Sequence, residues 1–339
     1  MAPNIEYLQK TLDETFQKIG RQRRIILISK ALVYGLSLIY MLFVIVVPMT
    51  GKVFVHDYEA NPNPTFFEAN PIIMYIIPVF VIIMAGSFIF SFAAQKYKTM
   101  EEHTVQYILY ELFPSIDYSI QPTSIKRSLL LNSLFFNNLS PEDVEKQVFS
   151  TMTLGKLEVY DLGIAKPSAK IQIIAYLQML RQVFRLATSA NYENAAFSFR
   201  GMFAWSQLPK KLNGSIIILP DHLEGQLGYI AQNIQSLKNI DGNKLVKLED
   251  VTFEKYFSVY SSDEILARYI LTPLMMSLMT QLREKYNREI MFSFNSDKFY
   301  FGVAMPEGIL TMGGKAKNSV QTIYDNIQTA QNLLQNLKL

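Results

Sequence analysis

The chain has 339 residues, enough for one or two domains with their own cores; 50% are apolar and only 18% charged, below the roughly 25% charge of an average soluble domain. A net charge of +3 without a basic patch interleaved with aromatics gives no support for nucleic-acid binding. The absence of cysteine excludes disulfides, thiolate catalysis and cysteine-based metal sites, and His56, His103 and His222 are too scattered for a multi-histidine metal site, so no metal or cofactor is expected.

Residues 4–20 predict an amphipathic helix, with Ile5, Leu8, Leu12, Phe16 and Ile19 at spacings of 3, 4, 4 and 3. It leads into a basic stretch, Arg21, Arg23 and Arg24, so that 1–24 forms an N-terminal arm. Such an arm suits either anionic headgroups or packing on a protein surface.

Two apolar runs follow, 25–47 and 72–94, each of 23 residues. As helices they would be about 34 Å long, enough to cross a hydrocarbon core of about 30 Å. Lys30 is the one charged residue in the first run, and near a membrane surface its stem can carry the ammonium to the interface. Pro78 in the second run is tolerable in lipid. Lys10, Lys18, Arg21, Arg23 and Arg24 precede the first run, and Lys96 and Lys98 follow the second. The loop 48–71 has only Lys52 against Asp57, Glu59 and Glu68. The positive-inside rule then predicts a hairpin over 25–94 with both termini cytoplasmic and an external loop.

Beyond the hairpin, 95–150 reads as a helical connector. A helix is expected from Gln95 to Phe113, with Val105, Ile108, Leu109 and Leu112 on one side and Pro114 at its end. A second helix is expected over 122–137, and Ser140-Pro141-Glu142-Asp143 reads as the start of a third. From 151 to 310 the pattern mixes strands and helices. Strands are expected near Leu157–Tyr160, Phe197–Trp205 and Ser215–Leu219, the last two separated by a turn at Asn213-Gly214, with a helical insertion over 170–188.

Asp250 caps a short helix through Phe257, and Ser258-Val259-Tyr260 reads as a strand. Ser261 and Glu264 form a capping box for a helix running to Tyr286, kinked by Pro273, with Ile265, Leu266, Tyr269, Ile270, Leu274, Leu278 and Leu282 inward. A hairpin turning at Asn295-Ser296-Asp297 closes the region, and 311–339 ends in an amphipathic helix carrying Val320, Ile323, Ile327, Leu334 and Leu337. Helices mixed with antiparallel strands predict an α+β fold behind the membrane hairpin.

The strings Leu248-Glu249-Asp250, Phe253-Glu254-Lys255-Tyr256-Phe257, Val259-Tyr260-Ser261 and Ala267-Arg268-Tyr269-Ile270-Leu271-Thr272-Pro273 resemble the DUF3137 family of bacterial membrane proteins. Gly201-Met202-Phe203, Ile218-Leu219-Pro220-Asp221, Phe292-Ser293-Phe294 and Tyr300 extend the resemblance over 150–310. The family is one of unknown function. The resemblance implies a protein of the bacterial inner membrane in an envelope-associated assembly.

No Walker loop, GxGxxG, GxSxG or EF-hand pattern occurs. Asp221, His222 and Glu224 cluster after a strand end, where a histidine flanked by acids can act as a base or ligand, although an ordinary turn is the plainer reading. Glu249, Asp250 and Arg268 suit a ligand clamp or, more simply, a salt bridge with a helix cap. Met275, Met276, Met279 and Met291 suit an adaptable groove or core packing. The expectation is a non-enzymatic, membrane-anchored scaffold facing the cytoplasm, with the bilayer and a protein partner or further copies of itself as partners. Its alternatives are an enzyme with a site near Asp221, His222 and Glu249, and an oligomeric transporter or channel component.

Overall fold

The computed structural model describes residues 5–49, 71–120, 124–136, 146–165, 197–221, 243–305, 308–310, 312 and 319–337. The chain divides into two units, one of Met1–Asp13, Glu102–Ala175 and Ala196–Leu339, the other of Glu14–Glu101 and Tyr176–Ala195. The expected insertion at 170–188, the helix start at Ser140 and all of the loop 48–71 but its helical ends at Pro48, Met49 and Pro71 lie outside the described residues.

The second unit is built from two long helices. The arm begins in the first unit with α1 (Ile5–Thr11); after a break at Leu12 comes α2 (Asp13–Met49). After the loop comes α3 (Pro71–Leu112). The arm's apolar stripe is buried, as its spacing predicts: Leu8, Leu12, Phe16 and Ile19. Farther along, α2 and α3 approach closely, because a Cβ placed on Gly86 would meet the Val33 side chain. Lys30 does not reach outward as expected of a lysine near an interface. It is buried, with its Nζ 4.4 Å from the centre of the Phe90 ring. At the far end Tyr97 donates to Glu101 Oε1 at 3.3 Å, and burial, then the neighbouring carboxylate, push the Tyr97 hydroxyl up. Among the described residues, whose side chains in α2 end at Tyr40, no single helix is long and apolar enough to cross a membrane.

The first unit is organised by an antiparallel sheet. Its strands are β1 (Asp117–Ser119), β2 (Lys146–Leu154), β3 (Leu157–Ala165), β4 (Phe197–Gln207), β5 (Ser215–Pro220), β6 (Lys244–Val246), β7 (Phe257–Ser261), β8 (Ile290–Asn295) and β9 (Lys298–Ala304). Their order is β1-β2-β3-β4-β9-β8-β5-β7-β6. The α+β expectation therefore holds for this region. The stretch 95–150 is not wholly helical: β1 and most of β2 lie in it, and among the described residues between them α4 (Arg127–Asn132) is the helix.

Partners across antiparallel strands put their side chains on one face. One row runs Glu158, Trp205, Tyr300, Ser293, Ile217, Tyr260 and Leu245 from β3 across to β6. Ile125, Leu130, Leu134, Phe135 and Phe136, from and around α4, cover this face and form one core with Phe203, Met291 and Tyr300. The other face carries Asp161, Met202 and Val303, and beside them Ala204, Phe301, Phe292, Ile218 and Val259.

The region 250–286 departs from the sequence reading in instructive ways. Asp250 caps α5 (Val251–Glu254), accepting from the Thr252 and Phe253 N–H groups at 3.0 Å each. This helix is shorter than expected, since Phe257 already begins β7. The next N-cap is Asp263, not Ser261, which is still in β7 and uses its Oγ on the Ser215 and Asp263 carbonyls. The long kinked helix is two helices, α6 (Glu264–Ile270) and α7 (Pro273–Tyr286), bent by 72°. Thr272 caps the second and Pro273 opens it, where a missing N–H costs nothing. The break resets the facing register, so Ile265, Tyr269 and Leu274 are exposed while Ala267, Leu271, Met276, Met279 and Leu282 are buried. Finally α8 (Ser319–Leu337) buries Val320, Ile323 and Ile327 and lies against α1; Phe113 stacks on Tyr324 with ring centres 5.6 Å apart.

Candidate functional site

An open cleft of about 460 Å³ lies at one end of the sheet. One wall is the two-residue turn Gly155-Lys156 joining β2 to β3, with Thr153 beside it; Gly155 takes φ +61°, the left-handed backbone such a turn requires. The other wall is the end of β4, with Trp205, Gln207 and Leu208.

Glu158 is the hinge of the arrangement. Its Oε2 accepts from Tyr160 Oη at 2.7 Å and from Trp205 Nε1 at 3.0 Å. These two bonds fix the indole and hold the carboxylate. Burial and then Glu158 push the Tyr160 hydroxyl up to about 12, so it remains a donor across the physiological range. Lys298 Nζ lies 5.9 Å from the centre of the Trp205 ring and bonds Asp297 at 3.0 Å; that bond holds the exposed Asp297 carboxyl below the usual range. The cleft combines an aromatic platform, an acceptor and donors. It brings together no nucleophile and base, and the described residues contain no group of three His, Asp or Glu able to hold a metal.

A second cluster is buried on the opposite face. Arg200 on β4 meets Asp161 on β3 through its two terminal guanidinium nitrogens, Nη1 and Nη2, and both carboxylate oxygens, with Nη2 to Oδ2 at 3.0 Å. Phe149 lies beneath the guanidinium at 3.8 Å. Burial pushes Arg200 down to about 9, still charged at neutral pH.

The residues singled out from sequence are dispersed. Asp221 is exposed at the end of β5 and accepts from Ser258 Oγ at 2.6 Å, while His222 and Glu224 lie outside the described residues. Glu249 is exposed. Arg268 does not clamp anything with Glu249 or Asp250: it bonds Glu264 at 2.9 Å and the Lys247 carbonyl at 3.0 Å. Met276, Met279 and Met291 are core residues and Met275 is half-buried. Leu248, Phe253, Phe257, Val259 and Tyr260 are buried in the domain. Phe253 stacks near Phe257 at 5.0 Å, and Phe257 meets Phe292 at 5.9 Å. The motif thus supplies caps, a corner and a core. The cleft was missed, although a solitary tryptophan two residues before the end of a strand was a usable signal.

No curated protein matches the chain at a significant level. A solved structure, the mycobacterial trehalose monomycolate transport factor A, TtfA, is similar at 9% identity, covering 66% of this chain and 89% of that one with a TM-score of 0.33. That likeness is too distant to carry an argument. The family model described as "Protein of unknown function (DUF3137)" matches residues 197–339, from the start of β4 to the C-terminus, and supports the resemblance to that family over this span.

Proposed function

We propose that the protein is a non-enzymatic, membrane-anchored scaffold, with the apolar stretches 25–47 of α2 and 72–94 of α3 set in a bilayer as a hairpin and the sheet domain on the cytoplasmic side, where it binds a protein partner or further copies of itself. The observation that supports anchoring is the outward surface of the two helices. Ile28, Leu32, Leu36 and Ile39 on α2, and Ile77, Val81, Met84, Phe88 and Phe92 on α3, are all exposed, Phe88 at 77%. Leaving such side chains in water forgoes about 1.5–3 kcal/mol each, and apolar stripes of this size mark lipid or partner contact. The apolar runs continue in sequence to Val47 and back to Ile72, and the flanking arginines and lysines favour the cytoplasm for both termini. The family resemblance favours the inner membrane of a bacterium and an envelope-associated assembly. The tied-up polar groups of the family motif support binding over catalysis.

Mass measurement after purification in mild detergent tests the scaffold reading. The expected result is a particle heavier than one chain, or a co-purifying protein. A strict monomer that brings nothing with it overturns the reading.

A further inference from the structure

The cleft at the Gly155-Lys156 turn is a built recognition surface that the scaffold reading does not use. Its acceptor is held in place before any ligand arrives, because Trp205 Nε1 and Tyr160 Oη both donate to Glu158 Oε2. The same bond to Glu158 fixes the plane of the indole. A platform and an acceptor already immobilised lose little entropy on binding. The volume of about 460 Å³ falls within the range of small-ligand sites, about 300–1,000 Å³.

The charges on the walls select the ligand class. An anion placed on Trp205 would face Glu158. A cation would face Lys156 on the rim and Lys298 near the indole. A neutral ligand with many hydroxyls suits both, since each hydroxyl donates and accepts. Glu158 Oε1 can accept a hydrogen bond from a hydroxyl, Lys156 can donate, and Gln207 can do either. The flat C–H face of a six-membered ring matches the apolar face of the indole. We propose that this cleft binds a neutral polyhydroxylated ring, a saccharide, stacked on Trp205 and hydrogen-bonded to Glu158. The binding is independent of whether the helices lie in a membrane.

Trp205 is the sole tryptophan, so its emission reports the cleft in the full chain without labelling. The protein is kept in a detergent with no sugar headgroup and titrated with maltose, cellobiose or N-acetylglucosamine; tetramethylammonium, sulfate and triglycine serve as the competing classes. The expected result is a saturable emission change with at least one saccharide, weakened about tenfold or more by Glu158→Ala, as for loss of a hydrogen bond to a charged group. A response confined to the ammonium, the anion or the peptide overturns the proposal, as does a linear, non-saturating one. Saturation-transfer NMR on the saccharide with the unmodified protein gives a readout free of any folding defect in the variant. Transfer to the ring C–H protons supports stacking, and its absence for every saccharide overturns it.

Discussion

Arg200 and Asp161 form a buried ion pair between β4 and β3, and the same carboxylate accepts from the Ile309 backbone N–H at 3.2 Å. The pair therefore fastens more than two strands. The Arg200 carbonyl accepts from Met305 N–H at 2.9 Å, and the Ile309 carbonyl accepts from Asn326 Nδ2 on α8 at 2.9 Å. A run of bonds leads from the sheet, through the segment after β9, to the C-terminal helix. Removing one partner strands a charge in the interior. Arg200→Met or Asp161→Ala alone is expected to lower stability by about 3–5 kcal/mol, and the double replacement Asp161→Leu with Arg200→Met to recover most of it. Denaturant unfolding of the three variants checks this; a double variant as weak as the singles contradicts it.

Gly308 sits against the pair. It has φ +87°, and a Cβ there would lie 2.6 Å from Arg200 Nη2 and 2.9 Å from Asp161 Oδ2. Gly308→Ala combines backbone strain of about 1–3 kcal/mol with displacement of the guanidinium. The expected outcome is a lowered melting temperature, together with faster proteolysis near α8 than in the native chain.

The family motif acts through its caps. Asp250→Ala and Asp263→Ala each remove a side chain that accepts two backbone N–H groups, and each is expected to cost about 1 kcal/mol. The emission maximum of Trp205 should stay unchanged in both. A large shift in that emission would show that the motif reaches the cleft.

Alkaline stability follows from Tyr160. Its hydroxyl is pushed from the usual 10 up to about 12 in the folded chain. Between those values the unfolded chain gives up the proton first, so this contribution is whole below pH about 10 and is lost as pH rises through about 12. Tyr160→Phe should show a shallower loss of stability over that window than the native protein. Identical profiles would mean that the Glu158–Tyr160 bond does not persist in solution.

Within the helical hairpin, Gly86 lets α3 approach Val33 on α2. Val33 is β-branched and stiff in a helix, so it cannot swing aside. Gly86→Leu should separate the helices, and a cysteine cross-link engineered at the Val33 and Gly86 levels should form more slowly in a Gly86→Leu background, read one helical turn away.

Local signals in the sequence carried far. The stripe from Leu8 to Ile19, the Asp250 cap, the turn at Asn295–Asp297 and the Val320, Ile323 and Ile327 stripe of α8 all depend on neighbours within a few residues, and all are present. Non-local pairing was not legible. Asn213-Gly214 reads as a hairpin turn between β4 and β5, yet β4 pairs with β3 and β9, and β5 with β7 and β8. The loop instead docks on the β8–β9 turn, where Leu208 and Leu212 N–H groups bond the Asp297 and Ser296 carbonyls. The helix break at Leu271-Thr272 was hidden because Pro273 suits a kink or a first turn equally. Glu158 and Trp205 are 47 positions apart, so no spacing rule could bring them together; only the register of β3 on β4 does.

Alkaline carbonate washing of native vesicles tests the anchoring of α2 and α3 most directly. The full chain is expected to stay in the membrane pellet and to enter solution only with detergent. Release of the intact chain into the carbonate supernatant would contradict it.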